Sequence, residues 1–164
     1  MKSGKVTKLL ALDSSTRNTG YSLYENGTLK SYGMVSSTSQ EPLDEMLGQL
    51  SSLLSKIHPE IVVIENTSVV RNARTQRDLT QLLGGVRFWC IQNKACFYPL
   101  NPTEWRKLVK DENEVLPRGR TELKEWSVMK ASKYVHKELK SNDVSDGILI
   151  GQAYINLTMK GAKQ

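Results

Sequence analysis

The chain is poor in the residues that build metal-thiolate sites and disulfide-stapled folds. Its 164 residues include two cysteines, Cys90 and Cys96, and two histidines. The cysteine spacing fits neither a zinc site nor a disulfide framework, so we assign the thiols no role and expect a reducing compartment. His58 lies beyond a predicted helix end and His136 in a lysine-rich segment. Both histidines are therefore predicted to be surface residues rather than catalytic bases.

Long hydrophobic runs are also missing. The early apolar run "LLAL" at residues 9–12 is too short for the core of a signal peptide, although three lysines precede it. No later run approaches the length of a membrane span. With 38% apolar and 24% charged residues, the composition is typical of a globular protein that can bury its own core. We expect one domain over residues 1–164, inside the cell and without membrane contact.

Positive charge exceeds negative charge, and the excess lies in the second part of the chain. The net charge is +6. Residues 1–70 carry 6 basic and 7 acidic side chains, residues 71–100 carry 5 and 1, and residues 101–164 carry 12 and 9. Such a basic surface favours a nucleic-acid partner, with solvated surface lysines as the alternative.

The first third of the chain predicts three antiparallel strands followed by a helix. Residues 8–15, "KLLALDSS", have the pattern of a buried strand. Residues 19–37 predict two strands joined at Asn26-Gly27, a strong hairpin signal. Apolar residues recur at helical spacing from Pro42 to Ile57, which predicts an amphipathic helix.

The rest of the chain adds strands and helices in turn. The β-branched run "IVVIEN" at 61–66 is typical of a strand in a parallel sheet; a helix follows over about 74–92 and "ACFYP" at 95–99 predicts another strand. We then expect a helix at 101–109, a loop at 112–122, a lysine-rich helix at 122–140 and a last helix from Asn142. The predicted order is βββαβαβ and then helices.

Four acids lie at the ends of these predicted elements. Asp13 ends the first strand, Glu65 ends the "IVVIE" strand, and Asp143 and Asp146 open the last helix. If the two strands are neighbours, their carboxyl ends bring the first two acids together, and the last helix can deliver the other two to the same place. Clustered carboxylates without histidine or cysteine are typical ligands of Mg²⁺ or Mn²⁺.

Each acid taken alone also has a structural interpretation. Asp13 fits a turn before two serines, Glu65 fits a charge at a strand end, and Asn142 with Asp143 fits a helix cap that complements the helix dipole. The alternative stays open for each acid. Only their combination with the order of strands and helices favours a shared site.

Three motifs carry a resemblance to a known family. In this order and spacing, "LALDSSTRNTGYSLYENG", "VVIEN" and "NDVSDGILIGQAY" resemble the RuvC-like Holliday junction resolvases of the RNase H-like superfamily. The similarity extends over nearly the whole chain. It implies an α/β, RNase H-like fold in which a five-stranded mixed sheet, three antiparallel strands and then parallel strands, is flanked by helices on both faces.

The resemblance also implies an activity. The family members are homodimeric, Mg²⁺-dependent endonucleases that nick four-way DNA junctions symmetrically and leave 5′-phosphate and 3′-hydroxyl ends. Asp13, Glu65, Asp143 and Asp146 match their acids and would hold two metal ions per active site, with Mn²⁺ as a substitute. Which of the last two acids binds directly stays open. The implied location is the cytoplasm of a bacterium or phage-infected host, with an organellar matrix as an alternative.

DNA contacts are implied on two segments. In the family, the loop and helix after the Glu enter the junction, and basic residues follow the last strand, where Lys107 and Lys124 are the strongest candidates. Bacterial relatives often place an aromatic wedge after the Glu, whereas this chain offers aliphatic Val69 and Val70. A solvated basic face is the alternative for the arginines. The predicted DNA-binding residues are Ser14, Asn66, Arg71, Arg74, Arg77, Arg106, Lys107, Arg118, Arg120 and Lys124.

Three other functions compete with this one. A less selective branched-DNA or flap nuclease would share the fold and the acids. Actin-like and sugar-kinase ATPases share a first motif of this type. Those proteins enclose a nucleotide between two lobes, whereas this chain is long enough for only one lobe. A junction-binding protein without catalysis gains nothing from four clustered carboxylates.

A few further residues carry packing predictions. Four residues are expected in the core or on a dimer face: Trp105, Trp126, Met129 and Val135. Gly84-Gly85 is expected to mark close packing between helices. Gly147, directly after Asp146, is expected to let the start of the last helix lie close to the sheet.

Overall fold

The first three strands form an antiparallel meander. The computed structural model describes residues 7–67 and 72–161, and these strands are β1 (Lys8–Asp13), β2 (Asn18–Glu25) and β3 (Thr28–Ser36). The β1–β2 pairing ends at Asp13 opposite Gly20. Asn26 and Gly27 have φ values of 51° and 79°, as a two-residue hairpin turn requires.

Two parallel strands extend the sheet on the other side of β1. They are β4 (Ile61–Glu65) and β5 (Cys96–Leu100), and the strand order is β3-β2-β1-β4-β5. The helices of the described residues are α1 (Pro42–Ile57), α2 (Ala73–Asn93), α3 (Pro102–Val109), α4 (Arg120–Val135) and α5 (Asn142–Gly161). None of these helices combines the length and the hydropathy that a bilayer span needs. The predicted α/β class, mixed sheet and order of elements are confirmed.

Alternate residues of the central strands face different helices. Leu10 and Leu12 of β1 lie in a core cluster with residues of α1 and α2. Leu9 and Ala11 lie in the opposite cluster, with residues of α3, α4 and α5. Because side chains alternate along a strand, this pattern decides which residues at the strand ends face α5.

The predicted and observed ends of a helix agree where the apolar periodicity stops at the helix end. They differ where the sequence pattern continues past it. α1 has its predicted bounds and ends at His58, which has a left-handed φ of 51° and donates its N–H to the Leu54 carbonyl. The prediction of a helix over 122–140 is wrong at its end, since α4 stops at Val135. His136 has φ 54° and turns its N–H back to the Lys133 and Ser132 carbonyls. Both histidines are exposed, as predicted.

The start of α5 lies against β2 at a separation that only glycine permits. A Cβ on Gly20 would overlap the carbonyl oxygen of Asp143. A Cβ on Gly147 would lie 2.9 Å from the Gly20 carbonyl carbon, closer than real side chains approach. The expectation for Gly147 is confirmed, and Gly20 is its partner.

Two buried hydroxyls fasten the same helix to the strand. Ser22 donates its hydroxyl to the Gly147 carbonyl and Tyr24 donates its hydroxyl to the Ile148 carbonyl, both at 2.7 Å. Ser22 and Tyr24 are fully buried, so neither hydroxyl has water as an alternative partner. The first two turns of α5 are therefore held in one position relative to the sheet.

The two adjacent glycines of α2 differ in role. A Cβ on Gly85 would lie 2.5 Å from the Leu47 side chain of α1, whereas a Cβ on Gly84 would meet nothing within 4 Å. Close helix packing is confirmed for Gly85 and not for Gly84.

Replacing Gly20 with alanine is expected to destabilise the fold by about 3 kcal/mol or more, because the new methyl group overlaps backbone rather than a movable side chain. Gly84→Ala is the matched control and should gain about 0.5–1 kcal/mol from helix propensity. Urea denaturation followed by circular dichroism measures both. A Gly20→Ala variant as stable as the wild type would refute the close approach.

Candidate metal and nucleic-acid site

Asp13 and Glu65 end neighbouring parallel strands in register. Leu12 pairs with Ile64 across β1 and β4, so Asp13 and Glu65 are the next residues on two strands about 4.8 Å apart. Leu12 and Ile64 face α1 and α2. Since side chains alternate, Asp13 and Glu65 turn to the other face, where α5 packs.

The start of α5 brings the other two acids to the same edge of the sheet. The Asp143 carbonyl lies against Gly20, and Gly20 is the β2 residue opposite Asp13. Asp146 follows one turn later on the same helix. The structure thus brings together the four acids that the sequence predicts to be neighbours.

Their charges act on one another. Burial, followed by the charges of Glu65, Asp146 and Asp143, holds the pKa of Asp13 well above its usual value. Burial raises the pKa of Glu65, and it raises the pKa of Asp146 to about 6. Burial also raises the pKa of Asp143, while the nearby Lys124 lowers it. Each acid resists ionisation, as expected for half-buried carboxylates that repel one another.

The chemistry of the cluster fits a hard divalent cation. Asp146 Oδ1 is buried and receives no hydrogen bond from any residue that the structure describes. Oxygen donors with a surplus of negative charge are the ligands of Mg²⁺ and Mn²⁺. Within residues 7–67 and 72–161, no group of three or more Asp, Glu, His or Cys side chains is arranged closely enough to hold a metal ion as it stands. The four acids lie close enough for their charges to act on one another, and binding a cation would require their oxygens to move closer together.

One contact at the cluster escapes the sequence analysis. The Trp105 indole N–H on α3 donates to Glu65 Oε2 at 2.6 Å, and Trp105 is fully buried. A buried indole needs an acceptor, and Trp105 follows five residues after Leu100, the β5 residue that pairs with Glu65. That proximity is the signal that could have found the contact.

Cations line a pocket beside the acids. It has a volume of about 380 Å³ and includes Asp143 and Asp146 in its wall. The predicted DNA-binding residues that line it are Arg106, Arg118, Arg120 and Lys124. Arg106 also lowers the pKa of Asp13, Glu65 and Asp146 through its charge, although burial has the larger effect on each. Four of the predicted cations therefore border the acid cluster.

The other predicted DNA-binding residues lie elsewhere. Lys107 is exposed on α3 outside the pocket, and Arg74 and Arg77 are exposed in the first turns of α2. Asn72 caps that helix by accepting the N–H groups of Arg74 and Thr75. Asn66 donates its side-chain amide to the Asn101 side chain at 3.1 Å.

Three predicted positions lie outside the described residues: Arg71 and the wedge candidates Val69 and Val70. Ser14, half-buried, directly follows Asp13. Cys90 is buried and Cys96 exposed, and both are free thiols.

Comparison with known proteins places this geometry in context. A curated protein named crossover junction endodeoxyribonuclease RuvC, from Caldicellulosiruptor saccharolyticus, is 24% identical over 158 residues, which cover 90% of this chain and 92% of that protein. No protein-family model matches the sequence. Among solved structures, T. thermophilus RuvC in complex with a Holliday junction substrate superimposes with a TM-score of 0.71 at 14% identity, covering 94% of this chain and 96% of the other.

The chain is RuvC-like in sequence and fold. A viral structure has the same fold: the Fowlpox virus resolvase in complex with Holliday junction DNA matches with a TM-score of 0.66 at 14% identity, over 93% of this chain and 99% of that one. The predicted family resemblance and the RNase H-like fold are confirmed. The sheet places Asp13 at the end of its central strand, β1, and Glu65 at the end of the neighbouring parallel strand, β4.

Asp146→Asn is expected to stabilise the protein in metal-free buffer at pH 7. The folded-state pKa of about 6 lies above the ordinary value of 3.8, so ionisation at pH 7 costs stability that a neutral amide does not lose. The free energy of unfolding should rise by about 1–3 kcal/mol. The gain should shrink as the pH falls through 6 and vanish below about 3.8, where folded and unfolded chains are both protonated.

Asp44→Asn is the control for this measurement. Asp44 is exposed in the first turn of α1, where its charge favours the helix, so its amide variant should be slightly less stable at pH 7. Urea denaturation with a chelator at pH 7 and pH 4 compares the two variants. Equal stability of wild type and Asp146→Asn at pH 7 would contradict a buried, ionised carboxylate.

Proposed function

We propose that this protein is a structure-selective endonuclease that resolves four-way DNA junctions. The observation that carries the proposal is the gathering of Asp13, Glu65, Asp143 and Asp146 beside a pocket lined by cations. Carboxylates repel the DNA backbone, so a protein that only binds DNA has no use for them at its basic surface. Acids that hold metal ions next to cations that hold phosphates are what phosphodiester hydrolysis requires.

The similar proteins support the junction as substrate. The relative from Caldicellulosiruptor is named as a crossover junction endodeoxyribonuclease, and two proteins of the same fold have been solved with Holliday junction DNA. Sheet, acids and cations occur here on a chain of nearly the same length, since 92% of that relative is covered.

The proposed mechanism assigns the acids to metal binding. Asp13, Glu65, Asp143 and Asp146 would together hold two Mg²⁺ ions as carboxylate ligands, with Mn²⁺ as a substitute. Such ions supply activation of a water for in-line attack on the phosphodiester and stabilisation of the leaving 3′ oxygen. The products would carry 5′-phosphate and 3′-hydroxyl ends.

The cations would hold the DNA backbone next to the acids. Arg106 lines the pocket next to Asp143 and Asp146, so its guanidinium is placed to bind a phosphate oxygen there. Arg118, Arg120 and Lys124 extend the same wall outward. Because two symmetric nicks require two active sites, the proposal includes a homodimer.

A less selective branched-DNA or flap nuclease is the second candidate. The segment after Glu65 reads Asn-Thr-Ser-Val-Val-Arg and has no aromatic residue, so the chain lacks the aromatic wedge that bacterial relatives often use to open a junction. This candidate shares the fold, the acids and the chemistry, and differs only in substrate selectivity.

Cleavage assays on labelled four-way junctions, flaps and plain duplex test the proposal. With Mg²⁺, the wild type should place paired nicks in the junction. Asp146→Asn should lose at least about 100-fold in rate yet still bind the junction in Ca²⁺, because it removes a metal ligand and no cation. Asp44→Asn changes an exposed acid on α1 that is not part of the acid cluster, so this variant should cut the junction at the wild-type rate.

Two results would count against it. Unchanged cutting by Asp146→Asn would remove the acid cluster from the mechanism. Equal cutting of flaps and junctions would favour the less selective nuclease.

Lys124→Gln is expected to weaken junction binding and to reduce the slope of log affinity against log salt by about 1, since one phosphate contact is lost. Lys133→Gln is the control, because Lys133 is exposed on the same helix but does not line the basic pocket. Fluorescence anisotropy in Ca²⁺ over a series of salt concentrations gives both slopes. Identical slopes for the two variants would show that DNA does not contact Lys124 in the pocket wall.

A further inference from the structure

Trp105 is in contact with both halves of the proposed site. Its indole N–H donates to Glu65 Oε2 at 2.6 Å. Its ring lies under the Arg106 guanidinium, whose Cζ is 4.8 Å from the ring centroid. Trp105 itself is fully buried in the core cluster that contains α5 residues. The Trp105 side chain therefore contacts both Glu65, a predicted metal ligand, and Arg106, which is predicted to bind a DNA phosphate.

Trp105 is the sole described residue that donates a hydrogen bond to the Glu65 carboxylate, and no salt bridge among the described residues involves Glu65. A carboxylate at a strand end has several accessible rotamers. With one oxygen held by the indole, the carboxylate has fewer accessible orientations, and no described residue donates a hydrogen bond to its second oxygen.

A second tryptophan makes the same contact in a different setting. Trp126 donates its indole N–H to Glu114 Oε1, also at 2.6 Å. Glu114 in addition pairs with Lys130 at 2.9 Å and accepts the Asp111 N–H at 2.8 Å. Both oxygens of the Glu114 carboxylate therefore have partners. Glu65 has one hydrogen-bond donor among the described residues, the Trp105 indole. The chain thus contains a natural control for the loss of a buried Trp–Glu hydrogen bond.

We propose that Trp105 is a positioning residue of the divalent-cation site, holding Glu65 for coordination and supporting Arg106 over the neighbouring pocket. The inference rests on the proposed function in so far as the cation site serves DNA cleavage. Partners that orient a metal ligand commonly change metal affinity by 10–100-fold when they are removed. Glu65 has one such partner among the described residues, so we expect the removal of that partner to weaken cation binding by an amount near the lower end of this range.

The direct test is Trp105→Phe. Phenylalanine keeps a ring beneath Arg106 and fills most of the space, but removes the N–H that binds Glu65. The dissociation constant for Mn²⁺, measured on the free protein from the paramagnetic resonance signal of unbound ion, should rise about 10-fold. Trp126→Phe, which removes the equivalent bond to Glu114, should leave it within about 2-fold of the wild type.

A spectroscopic measurement keeps the inference testable even if Trp105→Phe folds poorly. The chain has three tryptophans, so Trp105 emission can be isolated in a Trp89→Phe, Trp126→Phe background. Titration with Mg²⁺ should shift that emission saturably, because coordination changes the carboxylate that the indole binds. Adding Glu65→Gln to this background should abolish the shift.

Failure of the inference and failure of the proposed function have different signatures. Wild-type Mn²⁺ affinity in a folded Trp105→Phe variant, or Trp105 emission that ignores Mg²⁺, overturns the positioning role even if the protein cuts junctions. A protein that shows the predicted Mn²⁺ and emission changes but cuts no branched DNA supports the positioning role and refutes the nuclease.

Discussion

The contact between α5 and β2 is the constraint on which the site depends. Gly20 leaves no room for a side chain against the Asp143 carbonyl, and Gly147 lies as close to Gly20 in return. The buried hydroxyls of Ser22 and Tyr24 then fix the helix by its carbonyls. Because Gly20 pairs with Asp13, this contact sets where the α5 acids lie relative to the strand acids. A wider separation would move Asp143 and Asp146 away from Asp13 and Glu65.

Repulsion between those carboxylates is the cost of bringing them together. Burial raises the pKa of all four acids, and at Asp13 the charges of the other three raise it further. Partial relief comes from the positive charge of Arg106 and Lys124. A cluster of half-buried acids that repel one another is typical of places where function opposes stability. The same cations that moderate the repulsion line the pocket proposed for DNA, so electrostatics links the two halves of the site.

Much of the architecture can be predicted from the sequence, and the features that were predicted wrongly or not at all have physical reasons. α1 is found with its bounds because its apolar period, Pro42 and a stop at His58 all agree. α4 is overestimated because lysine and glutamate are good helix formers on both sides of His136, while the left-handed φ that ends the helix leaves no trace in the periodicity. Trp105 is predicted to lie in the core or on a dimer face. Its contact with Glu65 is not predicted, because it joins residues 40 positions apart and follows from the packing of α3 on the sheet.

The sequence alone determines the order of strands and helices and the placement of an acid at each relevant end, because alternation, helical period and turn residues are local properties of the chain. It also carries three motifs whose spacing indicates the RuvC-like fold. Only the tertiary structure decides that β1 and β4 are neighbours in register, that α5 lies close enough to deliver Asp143 and Asp146, and that Trp105 holds Glu65. Those are distances between residues far apart in the chain, and they are set by how closely the layers pack.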